Sequence, residues 1–270
     1  MHTIKAEYPT DWEDANIYVC ADWHIGDQHC DMQAVKNQIA QIQNDPHGLC
    51  ILNGDLINTA LKTSVSDIYG EVLAPMEAIT QLVDLLSPIK DKIIGVTTGN
   101  HEARVYRNDG VDIMRLVCRQ LDVEDRYNPD GVLIFLRLGT QSPTKKGAAY
   151  NSTGKVERNP RQLFTIYVTH GSGGGRKEGG KAIRLADMAA VVDSDIYIHA
   201  HTHLPMIMRE SFYRTSTANN TARLVDKLFV NTASFLDYGG YGQAQEFKPS
   251  SKLTPTIHLN PLKALATATL

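Results

Sequence analysis

The feature that most restricts this chain is a set of five short apolar runs, each of which breaks off into residues able to ligate or titrate. The runs are "NIYVCA" (16–21), "GLCILN" (48–53), "KIIGVTT" (92–98), "LFTIYVT" (163–169) and "DIYIHA" (195–200). They are rich in Ile, Val and Tyr and too short for helices, so they read as strands. Stretches with helical spacing of apolar residues stand between them: "DMQAVKNQIAQIQ" (31–43), "APMEAITQLVDLL" (74–86), "VDIMRLVCRQL" (111–121) and "GKAIRLADMAAVV" (180–192). Pro88 fits a stop for the second. The order β-α-β-α-β-α, followed by further strands, predicts an α/β fold with sheet covered by helices. "GVLIFLRLG" (131–139) is expected to pair with "LFTIYVT", and the last strands are expected near 206–214, 223–233 and 255–259. The expected organisation is one domain over 1–270, with a polar insertion at about 140–160 and a tail at about 260–270.

At 42% hydrophobic the chain can bury a sizeable core. No run of eighteen apolar residues suggests a membrane span, and "MHTIKAEYPTDWEDAN" lacks a signal-peptide core. The expectation is a cytoplasmic protein with no membrane partner. None of the four cysteines forms a C-x-x-C pair, which argues against a zinc ribbon or a thioredoxin-type site. Cys20 and Cys50 read as small core residues. The net charge of -3 does not point to nucleic acid, yet residues 137–184 hold ten Lys/Arg against two acids. Such a span suits a face for polyanions. A scattered, solvated surface is the alternative.

The ends of the runs carry the chemistry. "ADWHIGD" supplies Asp22 and His24, "NGDLIN" Asp55, "TTGNHEAR" Asn100 and His101, "VTHGSGGG" His170, and "HAHTH" His199, His201 and His203. If extended, Asp22 and His24 share one face, as do the three alternating histidines. In open α/β sheets ligands gather beyond the carboxyl ends of strands. Two carboxylates, several imidazoles and an amide oxygen suit first-row divalent ions. They are too many for one tetrahedral zinc. Two cations sharing a carboxylate use the set better and clamp the attacking and leaving oxygens of a displacement at phosphorus. They also lower the pKa of a water between them.

Taken in order, Asp22-Trp23-His24, Gly54-Asp55, Gly99-Asn100-His101-Glu102, His170 and Ala200-His201-Thr202-His203 resemble the calcineurin-like metallophosphoesterase superfamily. The resemblance covers residues 16 to 205. It implies two packed mixed β-sheets, a sandwich, flanked by α-helices. It implies one metal on Asp22, His24, Asp55 and His203, and a second on Asp55, Asn100, His170 and His201, with Asp55 bridging. His101 would protonate the leaving oxygen or stabilise its charge, a role suited to imidazole. Manganese is the expected metal, with iron and zinc compatible. His199 has no counterpart in the motif and reads as a core histidine or as one whose hydrogen bond tunes a ligand.

Three departures from the family pattern carry information. Ala200 replaces the usual glycine, which makes a tight turn less easy. Asn58 stands where protein phosphatases carry aspartate, and no Arg-Gly follows, so "GDLINTA" argues against a protein serine/threonine phosphatase. Asn58 would orient His101 but stabilise its cation less than an acid.

"ADWHIGD" is similar to the first motif of SbcD-type exonucleases, which implies phosphodiester cleavage in nucleic acid. Trp23 reads either as a base-stacking residue or as packing for its loop. Arg104 is a candidate for neutralising a phosphate oxygen. "GSGGGRKEGGK" (171–181) follows His170 and offers backbone N–H groups with Arg176 and Lys177, a candidate substrate grip. The alternatives are a phosphomonoesterase for nucleotides or other small phosphates, and a non-catalytic binding scaffold. The scaffold predicts lost ligands, and none is lost.

Overall fold

In the computed structural model, residues 1–62, 68–140, 149–150, 156–157, 161–173 and 175–270 are described. Thirteen strands and six helices follow one another along these residues. They are β1 His2–Glu7, β2 Ala15–Cys20, α1 Met32–Asn44, β3 Gly48–Asn53, α2 Pro75–Leu86, β4 Ile93–Thr97, α3 Asn100–Asp109, α4 Ile113–Leu121, β5 Val132–Leu138, β6 Ala149–Tyr150, β7 Val156–Glu157, β8 Gln162–Val168, α5 Glu178–Asp187, β9 Ile196–His199, β10 Met206–Ser216, β11 Thr221–Asn231, α6 Gly240–Ala244, β12 Thr256–Asn260 and β13 Leu265–Thr269. One mixed sheet runs β1-β5-β8-β9-β11-β10 and a second runs β13-β12-β2-β3-β4, with β6 and β7 pairing by themselves. The fold is α/β, two mixed sheets with flanking helices.

Alternation along the strands explains the layers. In β2 and β3, Ile17, Val19, Leu49 and Ile51 point between the sheets and meet Val132, Ile134, Ile166 and Ile198. Their neighbours Tyr18, Cys20, Cys50 and Leu52 point the other way, onto Val35, Ile39, Leu82, Leu86 and Val117 of α1, α2 and α4. A strand buried on both faces needs an unbroken apolar run, and that is what these segments are. On the outer face of the other sheet, Leu185 of α5 packs with Tyr197 and Phe229. Asp31 and Asp112 cap α1 and α4 by accepting the N–H of Ala34 and Arg115.

The expected antiparallel pairing of 131–139 with 163–169 is present as β5 and β8. The expected insertion at 140–160 falls largely outside the described residues. β1, β13 and α3 are among the elements that were not expected. β1 carries only Ile4 and Ala6 as apolar residues, and as an edge strand it needs few; its register to β5 supplies the order. The supposed tail at about 260–270 instead contains β13, hydrogen-bonded to β12 at the edge of the second sheet. α3 has no apolar stripe, and its one buried residue is Glu102.

Candidate metal centre

β2, β3, β4, β8 and β9 each end beside the same cluster of candidate donor groups, and the loops leaving them interlock. The N–H of Asp22 donates to the Gly54 carbonyl at 3.1 Å and the N–H of His24 to the Asp55 carbonyl at 3.0 Å. Ala200 donates to the His170 carbonyl at 3.1 Å. One donor group brings Asp22, His24 and His203 within 4.8 Å of one another, a second does so for Asp55, His170 and His201, and His101 forms a third with His24 and Asp55. Asp55 thus belongs to two of the three groups.

The route by which neighbours converge differs from the one expected. Neither Asp22-x-His24 nor His199-x-His201-x-His203 is extended. Asp22, His24, Asp55, His201 and His203 all have positive φ, between 51° and 64°. Each such residue costs on the order of 1 kcal/mol or more, and strain of this kind gathers where surrounding structure over-determines the geometry. Ala200 has no positive φ, so the methyl group in place of glycine meets no backbone strain; the left-handed step falls on His201.

Two glycines explain the approach of β3 and β4 at their ends. A Cβ on Gly54 would lie 2.3 Å from the Gly99 nitrogen, and one on Gly99 would lie 2.1 Å from Asp55 Oδ1. Glu102 completes the joint. Its buried carboxylate accepts the N–H groups of Asp55 at 3.0 Å, Leu56 at 2.7 Å, Ile57 at 3.2 Å and Gly99 at 3.0 Å. Glu102 was quoted in the sequence motif but given no role there. The capping-box position after Gly99 is the signal that reveals it.

The polar atoms facing the cavity fit cations. Among the described residues, Asp22 Oδ1, His24 Nδ1, Asn100 Oδ1 and His170 Nε2 are buried without a well-formed hydrogen bond. Unpaired buried polar atoms are costly and demand an explanation. His170 Nε2 lies 3.2 Å from Asp55 Oδ2, and His203 Nε2 lies 3.3 Å from Asp22 Oδ1. The Nε2 atoms of His24 and His203 are 3.4 Å apart. Burial and the neighbouring His101 push His24 down to about 3, and burial with His170 pushes His201 down to about 4. Both are therefore neutral imidazoles, the ligating form. Burial opposes charge on His170, but Asp55 beside it pushes its pKa up to about 10.

Supporting hydrogen bonds fix the candidate ligands. His170 Nδ1–H donates to the Asn53 carbonyl at 2.6 Å, leaving Nε2 toward the cavity. Asp22 Oδ2 accepts from the His201 N–H at 3.1 Å and from the Thr232 hydroxyl at 3.2 Å. Asn53, Thr232 and Asn231 were missed in the sequence because their strand-end positions carry no recognisable spacing. His199 is buried and its Nδ1 meets Asn231 Oδ1 at 2.8 Å. Asn231 Nδ2 in turn donates to Thr202 Oγ1 at 2.9 Å and to the Leu204 carbonyl at 2.6 Å. The extra histidine is thus linked through Asn231 to the His201–His203 loop and stands outside the donor groups found among the described residues.

Asn58 requires a correction. Its side chain does not orient His101; it donates to Asp27 at 3.2 Å and Glu71 at 2.6 Å. Its backbone carbonyl accepts His101 Nδ1–H at 2.8 Å instead. His101 Nε2 is left 3.9 Å from Asp55 Oδ2. Burial lowers the His101 pKa, Asp55 works against this, and Arg104 adds to the lowering. Arg104 is itself partly buried and within electrostatic reach of Asp55, Glu102 and Glu71.

Trp23 is also corrected as a base-stacking residue. It is fully buried, donates to Gln38 Oε1 at 2.9 Å and packs edge-on against Phe235. The basic span 137–184 does not form one face. Arg137 and Arg161 meet Glu7, and the β5–β8 register puts them at the opposite end of the sheet from His170. Lys145, Lys146, Lys155 and Arg158 lie outside the described residues. Arg176 and Lys177 are exposed at the entry to α5, with Arg176 over the Phe247 ring at 5.2 Å. Lys181 donates to the Thr202 carbonyl at 2.7 Å, tying α5 to the histidine loop.

With this geometry in view, the family model for calcineurin-like phosphoesterase matches residues 15–205. The chain belongs to that family. The family binds divalent metals, and the donor groups around Asp55 are where this chain would hold them. No curated protein is matched by the chain. Among solved structures it is similar to a conserved uncharacterised protein of Streptococcus pneumoniae TIGR4, a predicted phosphoesterase, at 13% identity over 95% of this chain and 97% of that one, with a TM-score of 0.36. It is also similar to a Vps29 single mutant of Entamoeba histolytica at 13% identity over 94% of this chain and 97% of the other, with a TM-score of 0.38. No helix among the described residues is long and apolar enough to cross a membrane.

Proposed function

We propose that this phosphoesterase is a dinuclear-metal-dependent phosphodiesterase acting on nucleic acid, with manganese as its metal. The observation that carries the reading is that Asp55 groups with His24 on one side and with His170 and His201 on the other, while His24 also groups with Asp22 and His203. Asp22, His24, Asp55 and His203 would hold one cation and Asp55, Asn100, His170 and His201 the other. When bound, the cations supply positive charge against the phosphoryl oxygens and activate water for attack at phosphorus.

The chain's own residues do the rest. Glu102 holds the Asp55 loop and the start of α3 as one unit, so Asp55 and Asn100 keep their spacing. The Asn58 carbonyl fixes the proton of His101 on Nδ1 and leaves Nε2 facing the centre. In its imidazolium form His101 carries a second proton on Nε2, which can pass to the departing alkoxide and leave the neutral ring, or donate a hydrogen bond to that oxygen. Arg104 adds positive charge near Asp55 for a phosphoryl oxygen. A diester carries substituents on both sides of phosphorus, and open space continues past Asn100 and His170 for one of them.

The test is a substrate panel with added manganese: single- and double-stranded DNA, RNA, cyclic dinucleotides, mononucleotides, a phosphopeptide and bis(p-nitrophenyl) phosphate. Cleavage of nucleic acid and of the synthetic diester is expected. Turnover confined to mononucleotides or other monoesters would replace the proposal by a phosphomonoesterase.

A further inference from the structure

A cavity of about 240 Å³ lies against the metal centre, sharing Asn100 and His170 with it and bounded also by Thr98, Arg107, Asp130 and Gly171. α3 explains how Arg107 arrives there: residues 100, 103 and 107 form one stripe of the helix, and all three line the space. Asp130 is held from two sides. Its N–H donates to Asn128 Oδ1 at 3.1 Å, and its carbonyl accepts the Thr169 hydroxyl at 3.1 Å. Gly171 lines the space without a side chain. Gly171 has φ +93°, and a Cβ there would lie 2.0 Å from His199 Nε2, so no side chain fits.

Size and charge narrow the occupant. Pockets for whole ligands run to roughly 300–1,000 Å³, so this space suits one portion of a substrate, such as a single sugar with its base. Arg107 offers only donors and the Asp130 carboxylate only acceptors. Both residues are exposed, and a hydrocarbon would engage neither side chain. A second phosphate would meet the negative charge of Asp130. A group carrying donors and acceptors side by side, such as sugar hydroxyls or a base edge, satisfies both walls.

We propose that this cavity is the subsite for one nucleoside of the ester, selected by Arg107 and Asp130. The proposal rests on the phosphodiesterase reading for the position of phosphorus beside Asn100 and His170.

Manganese-loaded protein, as wild type, Arg107→Ala and Asp130→Asn, is titrated calorimetrically with uridine 5′-monophosphate and with phenyl phosphate. Wild type should prefer the nucleotide. Arg107→Ala should shrink that preference by about tenfold, the value of one charge-assisted hydrogen bond. Asp130→Asn should shrink it less. Equal wild-type affinity for the two ligands, or a preference untouched by both substitutions, overturns the proposal. Parallel assay of wild type on bis(p-nitrophenyl) phosphate separates the two claims. Nucleotide preference without diester cleavage removes the phosphodiesterase reading and keeps the subsite. Cleavage without preference does the reverse.

Discussion

The Glu102 carboxylate accepts the backbone N–H of Asp55 at 3.0 Å, and the same side chain takes three further N–H groups from Leu56, Ile57 and Gly99. One carboxylate therefore joins the end of β3 to the start of α3. Replacing it by an amide turns one acceptor into a donor aimed at N–H groups. Glu102→Gln should cost about 1–3 kcal/mol in denaturant unfolding, the penalty of buried groups left unpaired. It should also weaken metal uptake. A variant as stable as wild type and fully loaded would show that the joint does not depend on this carboxylate.

Asp55 stands in two donor groups, with Oδ2 3.2 Å from His170 Nε2. Asp55→Asn should lower affinity for both metals together, measured as metal content after dialysis. Two tightly held metals in that variant would contradict the bridging role.

Gly99 leaves no room for a side chain beside Asp55 Oδ1. Gly99→Ala should push the carboxylate aside and reproduce the metal loss of Asp55→Asn without removing a ligand. Wild-type metal content in Gly99→Ala would mean that the two loops can separate freely.

His101 has its Nδ1 committed to the Asn58 carbonyl and contacts the centre through Nε2. His101→Ala should retain metal and lower kcat by about 10²–10⁴. Unchanged kcat on diester substrates would remove its role at the leaving group.

Arg176 and Lys177 are exposed on the approach to α5, whose Lys181 touches the histidine loop. The double reversal Arg176→Glu with Lys177→Glu should reduce DNA cleavage more than cleavage of bis(p-nitrophenyl) phosphate. It should also flatten the dependence of DNA affinity on salt, because phosphate contacts set that slope. Equal losses on both substrates would reject a DNA grip.

What was legible in the sequence was whatever depends on local pattern. β3, β4 and β9 are short, largely apolar runs because both their faces are buried, β2 nearly so, and the helical spacing over 31–43 and 74–86 matches α1 and α2. β1, β13 and α3 were not legible because their order comes from neighbours: edge pairing for the strands, a buried carboxylate for the helix. The convergence of Asp22 with His24 was foreseen from an extended chain, yet it arises from left-handed backbone at both residues. Trp23 carries the letter of a motif but packs as core, which only burial could reveal.

The sequence by itself determined the residue types at the strand ends and the order in which they occur, because strand formation and donor chemistry are local. Only the tertiary structure decided which of those groups face one another. It gave Asn58 a backbone role in place of a side-chain one, set His199 behind the histidine loop, and split the basic span between two ends of a sheet. Those outcomes depend on which loops pack together across distant parts of the chain, and no spacing within one segment encodes that.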